Sequence, residues 1–431
     1  MNPLAKELNE ILKPTVAYRL LSETGKRMYF PKGIVAQSAE ATKKATRHNA
    51  TIGMAYEQGK PMILPSVQAL TAPLSPSESV AYAPVTGVEE LRQLWKKELL
   101  RKNPLLKEDR ISLPMVVPGL TPGISTAADL FVEKDDVVII PDMFWDNYEL
   151  IFKDRNQAQI VTYPFFNSQG TYNLEGLKKE ILKHKSKGKV ALLLNFPNNP
   201  AGYSPTVQEA KQLAEVVYQC AEEGLDILTI SDDAYYGLFY EEGTETQSSF
   251  AYLADLHPRV LAVKVDGSTK EDFVWGFRVA FLTFGGKGLS PEQFDALMVK
   301  ASAVLRTTIS NSSRLAQSIM IRVMKSPSYA QEKQAKYQIL RERYLKVKEI
   351  LKHRKNGKAL QEVPFNSGYF MSFRCNGISA EALRKRLLEK GIGTINLQDQ
   401  FLRVAFASVD VSQLEDLYEE IFRTADELSQ R

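Results

Sequence analysis

From residue 111 onward, short runs of β-branched and apolar residues alternate with amphipathic stretches. The runs fall at residues 116–117, 137–140, 159–163, 190–194, 227–231 and 260–265. Strands separated by helical segments of ten or more residues predict crossover units, and hence a mostly parallel sheet covered on both faces. Ligands of such sheets sit at the carboxyl ends of the strands. Residues 89–102 place Leu91, Leu94, Trp95 and Leu99 near helical spacing, which predicts an amphipathic helix packed on a core. Residues 329–353 are charged and free of Pro and Gly, with Pro327 and Ser328 just ahead, so they predict one long helix leading out of the sheet domain. Beyond it, 369–373 reads as a strand, 380–390 as a helix, 402–406 as a strand and 411–425 as a helix, a smaller α+β unit.

Composition narrows the class. With 44% hydrophobic residues in 431, the chain can bury a large core. Fifty-five basic residues against 51 acidic ones are interspersed, so no basic stripe suggests nucleic acid or a membrane surface, and small anions are the expected partners. The two cysteines, Cys220 and Cys375, have no paired Cys or His nearby, which argues against a disulfide framework and a structural zinc site. Residues 1–14 mix charged with apolar positions unlike a signal sequence, and no stretch approaches the ~20 apolar residues of a membrane span. A cytoplasmic protein with no metal is the expectation.

Several stretches carry chemistry. In Asp266-Gly-Ser-Thr-Lys-Glu-Asp-Phe-Val-Trp-Gly-Phe-Arg278, Lys270 lies in a turn between two apolar runs. Partial desolvation there lowers a lysine's pKa and makes it a nucleophilic amine and proton carrier. Asn195-Phe-Pro-Asn-Asn-Pro-Ala-Gly202 and Ser231-Asp-Asp-Ala-Tyr-Tyr236 each end a strong strand signal. Pro118-Gly-Leu-Thr-Pro-Gly123 precedes an apolar helical stretch and offers main-chain donors to an anion. Asp142-Met-Phe-Trp-Asp-Asn-Tyr148 follows the run at 137–140, and two arginine-bearing segments come later, Val304-Leu-Arg-Thr-Thr-Ile-Ser-Asn-Ser312 and Phe401-Leu-Arg-Val-Ala-Phe-Ala-Ser408.

These motifs, in this order, resemble those of the pyridoxal-phosphate (PLP) aminotransferases of class I and II, and of aspartate aminotransferases in particular. The resemblance implies an α/β chain of PLP-dependent transferase fold type I. A large PLP-binding domain at 61–330 would carry the mostly parallel sheet, and a smaller α+β domain would be made from both chain ends, 1–60 and 331–431. It implies that Lys270 holds PLP as a Schiff base, that Asp232 pairs with the pyridine nitrogen, with adjacent Asp233 the rival, and that Tyr235 and Asn199 reach the phenolic oxygen. Gly119, Leu120 and Thr121 would form the phosphate turn with Arg278 and Ser268, although Gly267 stands where the family usually has a hydroxyl. Trp145 would stack on the cofactor and, with Asn199, touch substrate.

Arg403 would clamp the substrate α-carboxylate, for which a planar guanidinium is suited. Arg306 resembles the arginine that reaches from a neighbouring subunit to the side-chain carboxylate of aspartate or glutamate. Residues 53–67 and 82–87 carry further likeness, with Tyr82 reaching the phosphate of the partner's cofactor. A homodimer with shared active sites would follow. The activity implied is ping-pong transfer of an amino group from an L-amino acid, aspartate or glutamate favoured, to a 2-oxo acid. The same scaffold supports a carbon-sulfur β-lyase, because the protein chooses which bond lies perpendicular to the cofactor ring. Aminotransferase-like domains also sense ligands in transcription regulators, but no helix-turn-helix is evident in the roughly 50 residues ahead of the matched region.

Overall fold

The computed structural model describes residues 3–29, 56–57, 60–61, 73–354, 359–409 and 411–430. Its centre is a seven-stranded sheet built from β1 (Met115–Val117), β2 (Val137–Pro141), β3 (Gln159–Tyr163), β4 (Lys189–Asn195), β5 (Asp226–Asp232), β6 (Val260–Gly267) and β7 (Ala280–Gly286), in the order β1-β7-β6-β5-β4-β2-β3. Neighbours from β3 through β6 pair in parallel, and β7 is antiparallel to both β6 and β1. The sheet is thus mostly parallel, with one reversed strand.

Both faces are covered, as the continuous apolar runs require. Val138, Ile140, Ala191, Leu193, Leu228, Ile230, Leu261, Val263 and Val265 join one core cluster, while Val137, Ile139, Val190, Leu192, Ile227, Val260 and Ala262 join the other. This is the two-residue alternation of a strand sorting side chains to opposite faces. The helices that matter for the site are α1 (Pro3–Leu12), α2 (Glu89–Lys102), α3 (Leu120–Phe131), α4 (Leu174–Lys183), α5 (Val207–Glu222), α6 (Ser268–Glu271), α7 (Pro291–Thr308) and α8 (Tyr329–His353). The α3 side chains Ile124, Ala127 and Phe131 lie in the first cluster, and Leu177 of α4 and Leu213 of α5 lie in the second. Thr206 and Glu209 close a reciprocal capping box at the start of α5, as do Ser290 and Gln293 ahead of α7.

The long helix α8 leads to a four-stranded antiparallel sheet of β8 (Leu360–Glu362), β9 (Met371–Cys375), β10 (Ile395–Leu397) and β11 (Phe401–Val404), in the order β8-β9-β11-β10. It packs with α9 (Ala380–Glu389) and α10 (Val411–Ser429). The strand expected over 402–406 stops at Val404, opposite Met371 at the start of β9, and residues 406–408 turn into a 3-10 helix. Arg343 of α8 donates to the Ala407 carbonyl in that turn.

The described part of the N-terminal segment lies on the sheet domain, whereas the expectation puts 1–60 in the smaller domain. Helix α1 packs on α7, Val16–Leu20 packs on β5 and β6, and Arg19 forms a two-point ion pair with Asp226 at 2.5 and 2.8 Å. The apolar side chains Leu12, Val16, Ala17 and Leu20 join the first core cluster, which is what draws the segment there. Of the likeness at 53–67, only the backbone pairing of Tyr56 with Pro61 and Glu57 with Lys60 is described; the rest lies outside the described residues. Among the described residues no helix is long and apolar enough to cross a membrane, and no group of His, Cys, Asp and Glu is placed to hold a metal.

Candidate active site

The strand alternation delivers the site. Ala191 and Leu193 of β4, and Leu228 and Ile230 of β5, face α3, so the next residues of the same parity, Asn195 and Asp232, emerge on that face at the carboxyl edge. A cavity of about 270 Å³ opens there, lined by Leu120, Thr121, Trp145, Tyr148, Asn195, Asn199, Asp232, Ala234, Tyr235, Lys270 and Arg278.

Asp232 is buried and well held. Its Oδ2 accepts a hydrogen bond from the Tyr148 hydroxyl at 2.5 Å and its Oδ1 accepts the Ala234 amide at 3.1 Å. Burial raises its pKa, the Tyr148 bond and the charge of Lys270 oppose that, and Asp233 adds to it. Strand parity sends the two aspartates to opposite faces. Asp233 faces the other side of the sheet, where it pairs with Lys264 and accepts from Ser248 Oγ at 2.6 Å. Lys264 also meets Asp266 at 3.3 Å, so Asp233 is occupied and Asp232 alone lines the cavity.

Lys270 follows β6 on the one-turn helix α6, with its amine over the Tyr235 ring, 5.0 Å from the centroid. Burial lowers its pKa, the Asp232 carboxylate opposes this, and Arg278 lowers it further. An amine so placed carries a free lone pair more often than a surface lysine does.

An anion cradle lies beside it. Gly119 sits at φ 105° just ahead of α3, and a Cβ there would fall 2.0 Å from Nη2 of Arg278. Glycine therefore permits the backbone turn and lets the guanidinium lie against the start of α3, where unpaired amides and the helix dipole favour an anion. Among the described residues no carboxylate pairs with Arg278. The donor set fits a phosphate, and the carboxylate facing the lysine fits a protonated ring nitrogen, so the residues present fit PLP. Gly267 has a steric reason for lacking a hydroxyl, since a Cβ would be 2.7 Å from Ala280 Cα on the paired strand β7.

Arg403 enters from β11 of the smaller domain. Its Nη1 donates to Asn199 Oδ1 at 2.7 Å, its guanidinium lies 4.3 Å from the Phe370 ring centre, and its Nε is buried with no hydrogen-bond partner among the described residues. Such a half-used guanidinium is suited to a carboxylate. Asn199 is itself fixed, its backbone N–H donating to Asn195 Oδ1 at 2.8 Å, while Asn195 Nδ2 donates to the Asp232 carbonyl at 2.8 Å. Trp145 lines the cavity with its ring edge-on to Tyr148.

Three expected residues stand apart from this cavity. Ser268 is buried and donates to the Val279 carbonyl at 3.1 Å, Tyr82 is 63% exposed, and Arg306 is exposed at the end of α7 and bonded to Ser310. The sequence motifs do not single out Tyr148, Asn195, Tyr369 and Phe370, which the fold brings to the site. Strand parity could have found Asn195. Tyr369 packs edge-on to Tyr235 at 5.3 Å and donates to the Lys270 carbonyl at 3.4 Å.

The fold, a mostly parallel sheet with a desolvated lysine and a buried carboxylate at its carboxyl edge, is that of the PLP-dependent transferases of fold type I. The family described as aminotransferase class I and II matches residues 54–421, and the chain belongs to it. The aspartate aminotransferase of Escherichia coli is 22% identical over 352 residues, covering 80% of this chain and 84% of that protein. The mitochondrial aspartate aminotransferase of Dictyostelium discoideum is 30% identical over 186 residues, 42% of either chain, and the chain spans 47% of the Bacillus subtilis aspartate aminotransferase at 28% identity. The chain thus spans about half the length of these last two relatives. Among solved structures, an aminotransferase from Anaerococcus prevotii superposes with a TM-score of 0.74 at 24% identity, covering 92% of this chain and 95% of that one. The Pyrococcus horikoshii kynurenine aminotransferase gives 0.69 at 17%, covering 98% and 94%. These likenesses show the fold.

Proposed function

We propose that the chain is a PLP-dependent aminotransferase that moves an amino group from an L-amino acid, aspartate or glutamate favoured, to a 2-oxo acid. The observation that carries the reading is the convergence of Lys270, Asp232 and Arg278 on one cavity. PLP, when bound, supplies an electron sink for the bond breaking at the substrate α-carbon.

The protein's part follows from its side chains. Lys270 would hold the cofactor through its amine, and the pKa that burial lowers suits that amine to taking up and returning the proton of the substrate α-carbon. Asp232, held by Tyr148, would keep a proton on the ring nitrogen of the bound cofactor. Asn199 and Tyr235 would serve the phenolic oxygen, Gly119, Leu120, Thr121 and Arg278 would hold the phosphate, and Trp145 would pack on the ring. Arg403 clamps the α-carboxylate of amino acid and 2-oxo acid in turn. One cavity that serves both substrates alternately gives ping-pong kinetics.

The reading includes a cytoplasmic homodimer with shared active sites. Tyr82 and Arg306 are exposed and outside their own chain's cavity, which supports their serving a partner's site, Arg306 toward an acidic side chain. The test is an absorption spectrum of the protein with PLP, before and after L-aspartate, beside Lys270→Ala, followed by initial rates with 2-oxoglutarate as acceptor. A visible band that responds to aspartate and is lost in the variant, with parallel double-reciprocal lines, is expected. No band would overturn the reading, and pyruvate and ammonia formed from cystathionine without an acceptor would redirect it to a carbon-sulfur lyase.

A further inference from the structure

Lys270 stands on a helix of four residues, Ser268–Glu271, which is too short to fix its own geometry. The turn is set from outside, and most firmly from the side facing away from the proposed cofactor. Glu271, 8% exposed, is gripped between Lys102, the last residue of α2, and Lys333 on α8 at 2.8 Å. Lys333 also reaches Asp272 at 2.8 Å, and the Tyr329 hydroxyl donates to Asp272 at 2.6 Å. Two carboxylates and two lysines thus balance in one cluster. Burial raises the Glu271 pKa, but the two lysines outweigh it and hold the carboxyl below its usual range, so it is ionised.

The cluster lines a second cavity, of about 830 Å³, that backs onto the first. Tyr235 and Lys270 line the smaller cavity, and their chain neighbours Tyr236 and Glu271 line the larger. The two stretches 235–236 and 270–271 form the wall between them. On the far side, α8 continues into the smaller domain, where Tyr344 and Val347 are buried and Arg343 binds the Ala407 carbonyl just beyond the strand that carries Arg403. Ion pairs buried in this way add little stability over apolar packing, and their attested use is to specify one geometry.

We propose that Glu271 is a positioning residue for Lys270: gripped by Lys102 and Lys333, it fixes the one-turn helix that aims the Lys270 amine into the cavity beside Asp232. The inference rests on Lys270 being the cofactor lysine. The charged and titratable groups facing its side chain are Asp232 of β5 and Arg278 of the turn after α6, with Tyr235 and Tyr369 packed alongside.

The test is competitive acylation of the full chain without added cofactor, following Lys270 against exposed Lys13 by mass spectrometry across a pH series, for wild type, Glu271→Gln and Lys333→Met. Loosening the turn lets water reach the amine, so the Lys270 labelling midpoint is expected to rise above its wild-type position by about half a pH unit or more, equivalent to about a threefold change in free amine. Folded variants that keep the wild-type midpoint would overturn the proposal. If Glu271→Gln does not fold, Lys333→Met decides, because Glu271 keeps its pair with Lys102 there. A PLP titration of the wild type separates the two readings. Failure to bind PLP removes the functional reading, while the labelling still decides what Glu271 does to Lys270.

Discussion

The hydroxyl of Tyr148 lies 2.5 Å from Oδ2 of Asp232, and both residues are almost wholly buried, 1% and 3% exposed. A phenol donating to a carboxylate at that distance is a charge-assisted bond, of the stronger kind in proteins. It also favours the ionised carboxylate against the burial that disfavours it. Tyr148 therefore acts on the proposed cofactor through Asp232 and need not touch it.

Replacing Tyr148 by Phe removes the donor and leaves the ring. Asp232 then binds its proton more tightly and serves less well as partner of a protonated ring nitrogen. A buried hydrogen bond to a charged group is worth about 1.5 to 3 kcal/mol, so PLP affinity is expected to fall by roughly ten- to a hundredfold. Fluorescence titration of the variant with PLP measures this, and wild-type affinity would show that the bond has no part in holding the cofactor.

Asp232 also predicts a conflict between site and stability. Its folded pKa lies above the ordinary aspartate value, with burial the largest cause. The folded protein thus holds this proton more tightly than the unfolded chain, and the associated stability is fully present below the unfolded pKa and is lost as pH rises through the folded one. Asp232→Asn carries no such loss, since its Oδ1 can accept the Ala234 amide while Nδ2 donates to Tyr148. The cofactor-free variant should gain on wild type as pH rises through that window, by about 1.4 kcal/mol for each pH unit between the unfolded and the folded pKa. Urea unfolding at about pH 4 and about pH 8 gives the difference at each end of the ordinary range. A gap that does not widen with pH would mean that burial of Asp232 costs the fold nothing.

Gly119→Ala tests the anion cradle. The added Cβ would meet the Arg278 guanidinium at 2.0 Å, on a backbone at φ 105° that a side chain rarely adopts. The guanidinium is the mobile end of its side chain and will swing away, so the stability cost is that of the strained backbone, about 1 to 2 kcal/mol. The larger effect is expected on phosphate, through loss of a charge-assisted contact: PLP affinity falling at least about tenfold, with pyridoxal, which lacks the phosphate, little affected. Equal losses for PLP and pyridoxal would place the damage elsewhere than in the cradle.

Much of this architecture is legible in the order of the residues. Apolar runs mark the strands of the large sheet because a sheet covered on both faces needs them continuous. The bounds of α2 and α8 follow from helical spacing and from the absence of Pro and Gly. The motif order brings Lys270, Asp232, Asn199, Tyr235, Arg278 and Trp145 to one cavity. What the sequence conceals depends on long-range packing. Tyr148 meets Asp232 across 84 positions, after a loop that continues into a π-helix at Glu149–Arg155. The three-residue strands β8 and β10 are too short to carry a period, and the N-terminal helices go to the sheet domain through contacts such as Arg19 with Asp226, 207 positions apart. The choice of Asp232 over Asp233 is readable from parity with Leu228 and Ile230, without any motif.

The shared-site reading makes its sharpest prediction in a mixture. Lys270→Ala lacks the proposed cofactor lysine but keeps Arg306, and Arg306→Ala has the reverse defect. If each site takes Lys270 from one chain and Arg306 from the other, then a mixed dimer holds one site with both residues intact and one with neither. Exchanging subunits between the two variants should restore activity on aspartate, toward about a quarter of the wild-type rate when chains mix at random. Arg306→Ala alone should raise KM for aspartate and glutamate far more than for alanine or an aromatic amino acid, because a guanidinium pairs with the side-chain carboxylate that only the acidic donors carry. No recovery on mixing, with exchange shown by a size tag on one variant, would confine Arg306 to its own chain. Uniform KM changes across donors would leave no reason to favour an acidic substrate.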